Sequence, residues 1–446
     1  MDYTKFKELV VAQAQRLGIT EYELYYQSGE ALSARVVFHE VDDFTASREG
    51  GVCFRCIVDG KMGYASTEEL SEVQAAFIVR RAMENAACIE SEEPVFLASG
   101  GQDYAAVTKN SASMPSAEAL IGLALDTQQK IYACGGEDGS MTQVVAEAAA
   151  IAITNSRGLD VRYQNTLNAV MTEAVVERGG EKGNDYCLKA IPFASMDRDA
   201  MAQKAVEDAI RGLGGEPAPT GSYPVVFAPQ AVAGLLSVFS SIFSSEAANK
   251  GLSRLKGREG EQVARDIVTI VDDPFCPMSP MQMPFDAEGS PTYRKNVVEQ
   301  GVLKTMLYNL KTAALAGKTT TGNAAKASYD APVGLRPFTM YFAPGSISKE
   351  ALLEKAGEGV YIQSLQGLHA GASPVTGDFS LQSAGFMIRE GKLCESVKSF
   401  TVAGNFYDLL HNVVALAEDL EIPNATGKTA FGGPSILVEG LSVAGK

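Results

Sequence analysis

The chain has 446 residues, 46% hydrophobic and 21% charged, and a formal net charge of −16. That length predicts two or three domains, each able to bury its own core. The acidic balance excludes a nucleic-acid phosphate track and adsorption to an anionic membrane, since both need concentrated Lys and Arg.

No run of about 18 apolar residues occurs, so no membrane span is predicted. The start MDYTKFKELVV is broken by Lys5, Lys7 and Glu8 and does not read as a secretory signal. A cytoplasmic location is the expectation. Seven dispersed cysteines, an odd number, predict free thiols rather than a disulfide framework.

Phe6, Leu9, Val10, Ala14 and Leu17 recur at helical spacing, with Gly18 as the stop. GGVCFRCIVDGKMGYAS reads as two strands joined at Asp59-Gly60. Residues 67–88 read as a helix capped by Thr67. Residues 91–115 are polar and irregular, a linker. A helix is expected over Ser116–Tyr132, a β region over 139–192 with a turn at Asn155–Gly158 and a break at Gly179-Gly180, and a helix over 196–213. This order predicts helices on one face of an antiparallel sheet.

GLGGEPAPTGSYP (212–224) holds four Gly and three Pro and reads as a connector. Beyond it come a strand (YPVVFAP), a helix over Gln230–Asn249, and a loop, DDPFCPMSPMQMPFDAEGSP, with five prolines. The rest is strand-rich, with helices near 348–356 and 404–419. The fold class is therefore α+β: an N-terminal sandwich-like region of antiparallel sheet and helices, then a strand-rich C-terminal domain with a few helices. The domains are 1–90, 115–213, merged with the first or separate, and 222–446. The 230–248 helix is apolar on nearly every side, which predicts burial in a core or in an oligomer interface.

Cys53-x-x-Cys56 suggests a metal pair, but residues three apart on a strand face opposite ways. No other close Cys or His pair exists to complete a zinc set. His39-Glu40 lacks a second His at i+4, where Asp43 stands, and VVFHEVDDF is strand-like. His411 reads as a packed or surface residue of the 404–419 helix. His369, in GLHAGASPVTGDFSLQSAGFMI, is either a ligand contact in a glycine-rich loop or part of a turn. Thr319–Asn323 form a polar loop. No G-x-S-x-G elbow, phosphate loop or dinucleotide fingerprint occurs. Asp286 and Glu288 in FDAEG read as caps of a solvated turn rather than a cation site.

Five segments together resemble the TldD/PmbA family, once named modulators of DNA gyrase and related to peptidases. They are GGVCFRCIVDGKMGYAST (50–67), FDAEGSPTYRKNVVEQGVL (285–303), TTGNAA (320–325), GLHAGASPVTGDFSLQSAGFMI (367–388) and VAGNFYDLLHNVVALAEDL (402–420). TldD-type members of this family carry H-E-x-x-x-H on the first helix of the C-terminal domain and a late Cys as a further zinc ligand. PmbA-type members, also called TldE, lack both. In this chain Ser237, Val238 and Ile242 stand where the His, Glu and second His would fall, and 424–440 holds no Cys. Val and Ile cannot bind zinc or act as a base.

The resemblance thus implies a PmbA/TldE-like subunit with no cofactor of its own. A TldD-type zinc peptidase partner would supply the metal, in a homo- or hetero-oligomer that trims or degrades peptides. A glycine-rich rim with Thr321, Gly322, Asn323, His369, Gly371, Asp378 and Ser380 is the candidate groove for peptide or partner. Two alternatives stand beside this. One is a self-sufficient non-metal hydrolase using Ser, Thr or His369; the other is a binding protein that modulates DNA gyrase.

Overall fold

The computed structural model describes residues 1–107, 113–426 and 429–446. Helix α1 (Tyr3–Arg16) starts where the Asp2 side chain accepts the Lys5 N–H, and it buries Phe6, Val10 and Ala14. Then come β1 (Glu21–Val37), β2 (Glu40–Val58), β3 (Lys61–Thr67), α2 (Glu72–Ala87) and α3 (Ala117–Ala133). Strands β4 (Met141–Asn155), β5 (Asp160–Arg178) and β6 (Glu181–Lys189) and helix α4 (Arg198–Arg211) complete the first half.

Its strands form one antiparallel sheet, ordered β3-β2-β1-β4-β5-β6. Alternation sorts the faces. Leu24, Phe54, Val144 and Val170 pack under α1 to α4. Tyr25, Cys53, Ile153 and Tyr163 face the other way, against Phe285 and Phe338 of the second half. Cys53 and Cys56 accordingly lie in different cores. All seven cysteines are free.

The second half opens with β7 (Gly221–Phe227), α5 (Pro229–Phe239), a 3-10 turn at Ser240–Phe243, and α6 (Ser245–Asn249). Next come β8 (Ile270–Asp272), β9 (Lys295–Glu299), β10 (Val302–Leu303), α7 (Leu310–Leu315), β11 (Ala324–Ala325), β12 (Gly334–Leu335) and β13 (Thr339–Phe342). They are followed by α8 (Lys349–Ala356), β14 (Gly359–Gln366), α9 (Leu368–Gly371), β15 (Asp378–Arg389), β16 (Lys392–Asn405) and α10 (Phe406–His411). The last strands are β17 (Val413–Leu416), β18 (Glu421–Thr426), β19 (Thr429–Gly433) and β20 (Ile436–Ala444).

One sheet runs β16-β15-β14-β7-β20-β17, and β16 also pairs with β20, which closes five strands into a barrel. A second runs β10-β9-β8-β13-β19-β18. Helix α5 packs against strands of both sheets, and the largest core gathers around it. The α+β class holds, with helices on one face of the first sheet and a strand-rich second half.

Several expectations need correction. Thr67 is not the cap of α2: it ends β3, paired with Val52, and the Ser71 hydroxyl accepts the Gln74 N–H instead. The helix expected over 230–249 breaks after Phe239 into a 3-10 turn and a short α6. The apolar sides of α5 are buried inside this chain, so that helix gives no argument for an oligomer interface. The 404–419 helix stops at His411, because Val413–Leu416 pair with β20. His39 lies in a turn rather than a strand: Phe38 and His39 have φ of 51° and 64°, and the His39 ring stacks on Tyr132 at 3.9 Å. The 91–115 linker is irregular where described, and 108–112 lies outside the described residues.

Candidate functional site

The two halves enclose a polar cleft of about 590 Å³. One wall is β6, the outermost strand of the first sheet, which among the described residues pairs only with β5. Gly183 lets this wall lie close to α4, since a Cβ there would sit 2.8 Å from the Ala209 carbonyl oxygen. The opposite wall is built from β14, β15 and β16, with Gln230 and Gly234 of α5 at one end.

Polar side chains cross the cleft. Gln363 Nε2 donates to Asp185 Oδ2 at 2.9 Å, and Gln230 Nε2 donates to the Tyr186 hydroxyl. Lys398 Nζ reaches Glu181 Oε1 at 2.7 Å. Gln363 falls at a β-bulge, where the β14–β15 register shifts between Ile362 and Ser364. A bulge re-aims a side chain out of the ladder. Burial pushes the Asp185 carboxyl up, partly offset by the Tyr186 N–H that it accepts. Burial likewise raises the Tyr186 hydroxyl. Glu181 is held below the usual range by Lys398 and by the Gly214 N–H.

Beyond Gly234, α5 and the 3-10 turn after it carry the positions that the resemblance matches to a zinc motif. Pro229 opens the helix at its first turn, where a missing N–H is harmless. Ser237 Oγ donates to the Gly234 carbonyl at 2.7 Å, half-buried. Val238 is half-buried against the core, and Ile242 is wholly buried in the 3-10 turn. A zinc ion needs nitrogen, thiolate or carboxylate donors. Ser237, Val238 and Ile242 supply none, and no group of three or more His, Cys, Asp or Glu suited to a metal occurs among the described residues. These positions do not fit the ion.

The residues expected to form one groove fall in two places. His369 is exposed on the short α9, next to Leu368, whose side chain packs against Gly234 of α5. Gly371 lies close under β15: a Cβ there would sit 2.4 Å from the Ser380 carbonyl oxygen. Asp378 accepts Asn405 Nδ2 at 2.8 Å, which with Thr376 keeps its carboxyl low; Asp378 and Ser380 are both exposed.

Thr321, Gly322 and Asn323 belong elsewhere, in the interior. The Thr321 hydroxyl donates to Asn323 Oδ1 at 2.8 Å and accepts the Tyr308 N–H at 2.7 Å. Asn323 Nδ2 donates to Asp272 Oδ2 at 2.7 Å, and Lys295 Nζ approaches the same oxygen at 3.3 Å. Gly322 has φ +67°, and a Cβ would meet the Pro291 carbonyl oxygen at 2.4 Å.

Asp286 and Glu288 also differ from expectation. Asp286 does cap a turn, accepting N–H groups from Glu288, Ser290 and Ala324. The turn is not solvated: the two residues are 1% and 4% exposed. Asp185, Tyr186 and Gln363 were not singled out from the sequence. Their only local mark is polarity on a strand, and it is the neighbouring half of the chain that makes them a wall.

Residues 22–86, 110–213 and 220–445 match the family models described as PmbA/TldA metallopeptidase domain 1, central domain and C-terminal domain. A metalloprotease of Methanothermobacter thermautotrophicus is 27% identical over 430 residues, covering 91% of each chain. The metalloprotease PmbA of Escherichia coli O157:H7 is 26% identical, covering 88% of this chain and 86% of its own. A candidate modulator of a DNA gyrase from Thermotoga maritima is similar in structure, with a TM-score of 0.89 and 29% identity over 99% of this chain and 100% of that one. TldE from Thermococcus kodakarensis has the same fold, with a TM-score of 0.88 and 22% identity over 98% of this chain and 99% of that one. The chain belongs to the PmbA/TldD family of metallopeptidases.

Proposed function

We propose that this chain is a PmbA/TldE-type subunit, without zinc of its own, of a TldD/TldE-type metallopeptidase that degrades or processes peptides. A TldD-type partner chain holds the zinc. One observation supports this most. The family architecture extends along the chain, yet Ser237, Val238 and Ile242 of the α5 region offer no ligand.

In this proposal the cleft receives the peptide. The outer edge of β6 offers main-chain groups to an added strand, a mode in which the backbone gives affinity and pockets give selectivity. His369, Gly371, Asp378 and Ser380 face peptide or partner at the barrel rim, while Thr321, Gly322 and Asn323 brace the interior. The working units are 1–90, 115–213 and 222–446, with the first two sharing a sheet.

Metal analysis and a reconstitution assay test this. The purified chain should hold far less than one zinc per chain. Peptide cleavage should need an added TldD-type chain and be lost on chelation. One tightly held zinc per chain, or chelator-resistant cleavage by the isolated chain, overturns the proposal. The second outcome would point to a self-sufficient hydrolase. Against that, no carboxylate hydrogen-bonds the exposed His369 ring among the described residues, so the third group that orients a base is missing there.

A further inference from the structure

A hollow of about 190 Å³ opens on the face of the first sheet that Tyr163 and Ile151 share. Among the described residues it has no lining residue in common with the cleft. Strand register builds its floor. Glu49, Gly29, Ala149 and Asn165 stand in one row across β2, β1, β4 and β5, and Ser47, Ala31, Glu147 and Leu167 stand in the next. The small side chains of Ala31 and Ala149, and Gly29 with none, leave the hollow. Ile151, Leu167 and two residues of the proline-rich loop, Met281 and Met283, wall it with apolar surface.

Three polar side chains line this hollow without a partner. Asn165 is only 5% exposed, and its amide makes no hydrogen bond among the described residues while its atoms keep access to the hollow. A buried amide without a partner is costly. Glu147, half-buried, and Glu49, exposed, pair with no cation among the described residues; the adjoining Arg48 pairs with Glu30. No Lys or Arg among those residues lines the hollow. The Glu49 carboxylate lies over Gly29, with Oε1 3.9 Å from where a Cβ would stand.

Glu147 and Asn165 are diagonal neighbours on paired strands, about 7–8 Å apart, so a single donor group between them reaches both. From Asn165 to Gly29 is two strand spacings, about 10 Å. An anion here would face two carboxylates. A neutral apolar molecule would leave all three polar groups unmatched. Two positive charges at the ends of a short apolar chain match the acids, the amide and the floor between them.

We propose that the hollow binds an aliphatic diamine of four or five carbons. One ammonium donates to Glu147 and to Asn165 Oδ1, and the other meets Glu49. The chain between them lies on Gly29, Ala31 and Ala149, against Met281 and Met283. An N-terminal lysine carries the same two ammoniums joined by five carbons, so a free diamine and a peptide end are the two sources of this chemistry. Residues from both halves touch the ligand, so binding raises the unfolding temperature. The site does not rest on the role proposed for the cleft, and failure here leaves that proposal standing.

Calorimetric titration and thermal unfolding of the full chain, with cadaverine, lysyl-alanine amide, pentylamine and pentanediol, test it. Cadaverine or the lysyl compound should saturate and raise the unfolding temperature; the tighter of the two names the source. Pentylamine has one ammonium and should bind at least about tenfold more weakly, the loss expected for one hydrogen bond to a charged group. Pentanediol has none and should not bind. Glu147→Gln should weaken cadaverine by a similar factor. Ala149→Leu fills the floor at a half-buried position and should abolish binding while the empty protein unfolds as before. Three outcomes overturn the proposal. They are no saturation by either diammonium compound, pentylamine as tight as cadaverine, and unchanged binding by folded Glu147→Gln or Ala149→Leu. The last would mean that the acidic surface attracts the cation without a site.

Discussion

Asp286 and Glu288 show how one short motif can be half read. FDAEG signals a turn cap, and Asp286 accepts three backbone N–H groups as that signal implies. Its burial could not be read, because β1 and β2 cover it from the other half of the chain. Thr321 and Asn323 repeat the lesson: a polar loop in the sequence becomes a buried bracket on Asp272.

Burial raises both carboxyls of the pair. Asp286 adds to the rise at Glu288, and Arg55 opposes it, with Glu23 also facing the group; Lys295 opposes the rise at Asp286. The folded state therefore binds more protons than the unfolded chain once pH exceeds the ordinary carboxylate range. Stability must then fall as pH rises from near 4.5 through the raised range of Glu288. Thermal unfolding followed from about pH 5 to about pH 9 should show that fall, and Glu288→Gln should flatten it. The variant should gain on the parent at the alkaline end only. Parallel curves for the two proteins would mean that Glu288 does not titrate in this window.

At the scale of elements, local signals succeed where a single cap or period decides the outcome. Ser116 caps α3 through the Ala119 N–H, and the β4 alternation places Thr142, Val144 and Ala146 inward. They fail where tertiary pairing wins. The stretch from Phe406 to Leu416 has helical spacing, but VVAL is rich in β-branched residues and β20 offers it a ladder. The expected cap Thr67 is likewise overruled by β2, which holds β3 extended to Thr67.

Helix α5 was legible as apolar all round, while its end was not. Phe239, the last residue of α5, stacks on Phe406 with ring centroids 4.5 Å apart and planes 7° from parallel. Both rings are fully buried in the largest core. Phe239→Ala should therefore lower stability by about 3–5 kcal/mol, the range for truncating a buried aromatic. Denaturant unfolding checks this, and a loss below about 1 kcal/mol would mean that the core collapses onto the gap.

For the whole molecule, the cleft was the least legible feature, because its walls come from 182–188, 230–234, 363–368 and 382–399. Hydrophobic periodicity reports which face of a strand is buried. It does not report which distant strand stands opposite. The contacts that span the gap are polar: Gln363 to Asp185, Gln230 to Tyr186, Lys398 to Glu181. The Gln230–Tyr186 contact is exposed and the other two are part-buried, and a hydrogen bond of this kind contributes about 0.5–1.5 kcal/mol net. Removing the two glutamines should consequently lower stability by no more than about 1–3 kcal/mol. It should still alter the cleft, because Asp185 and Tyr186 lose their partners and become free to solvent.

If an extended peptide lies along β6, those two side chains are part of its surroundings. A Gln230→Ala, Gln363→Ala double variant should then change the affinity for an extended peptide by about threefold to tenfold, within the range expected for one or two neutral hydrogen bonds. Fluorescence anisotropy with a labelled unstructured peptide, on the chain alone and with a TldD-type chain added, reads this directly. A peptide that binds the parent and the double variant equally would place its path away from the β6 wall. A variant that binds no peptide and also unfolds several degrees lower would show instead that the two glutamines hold the halves together.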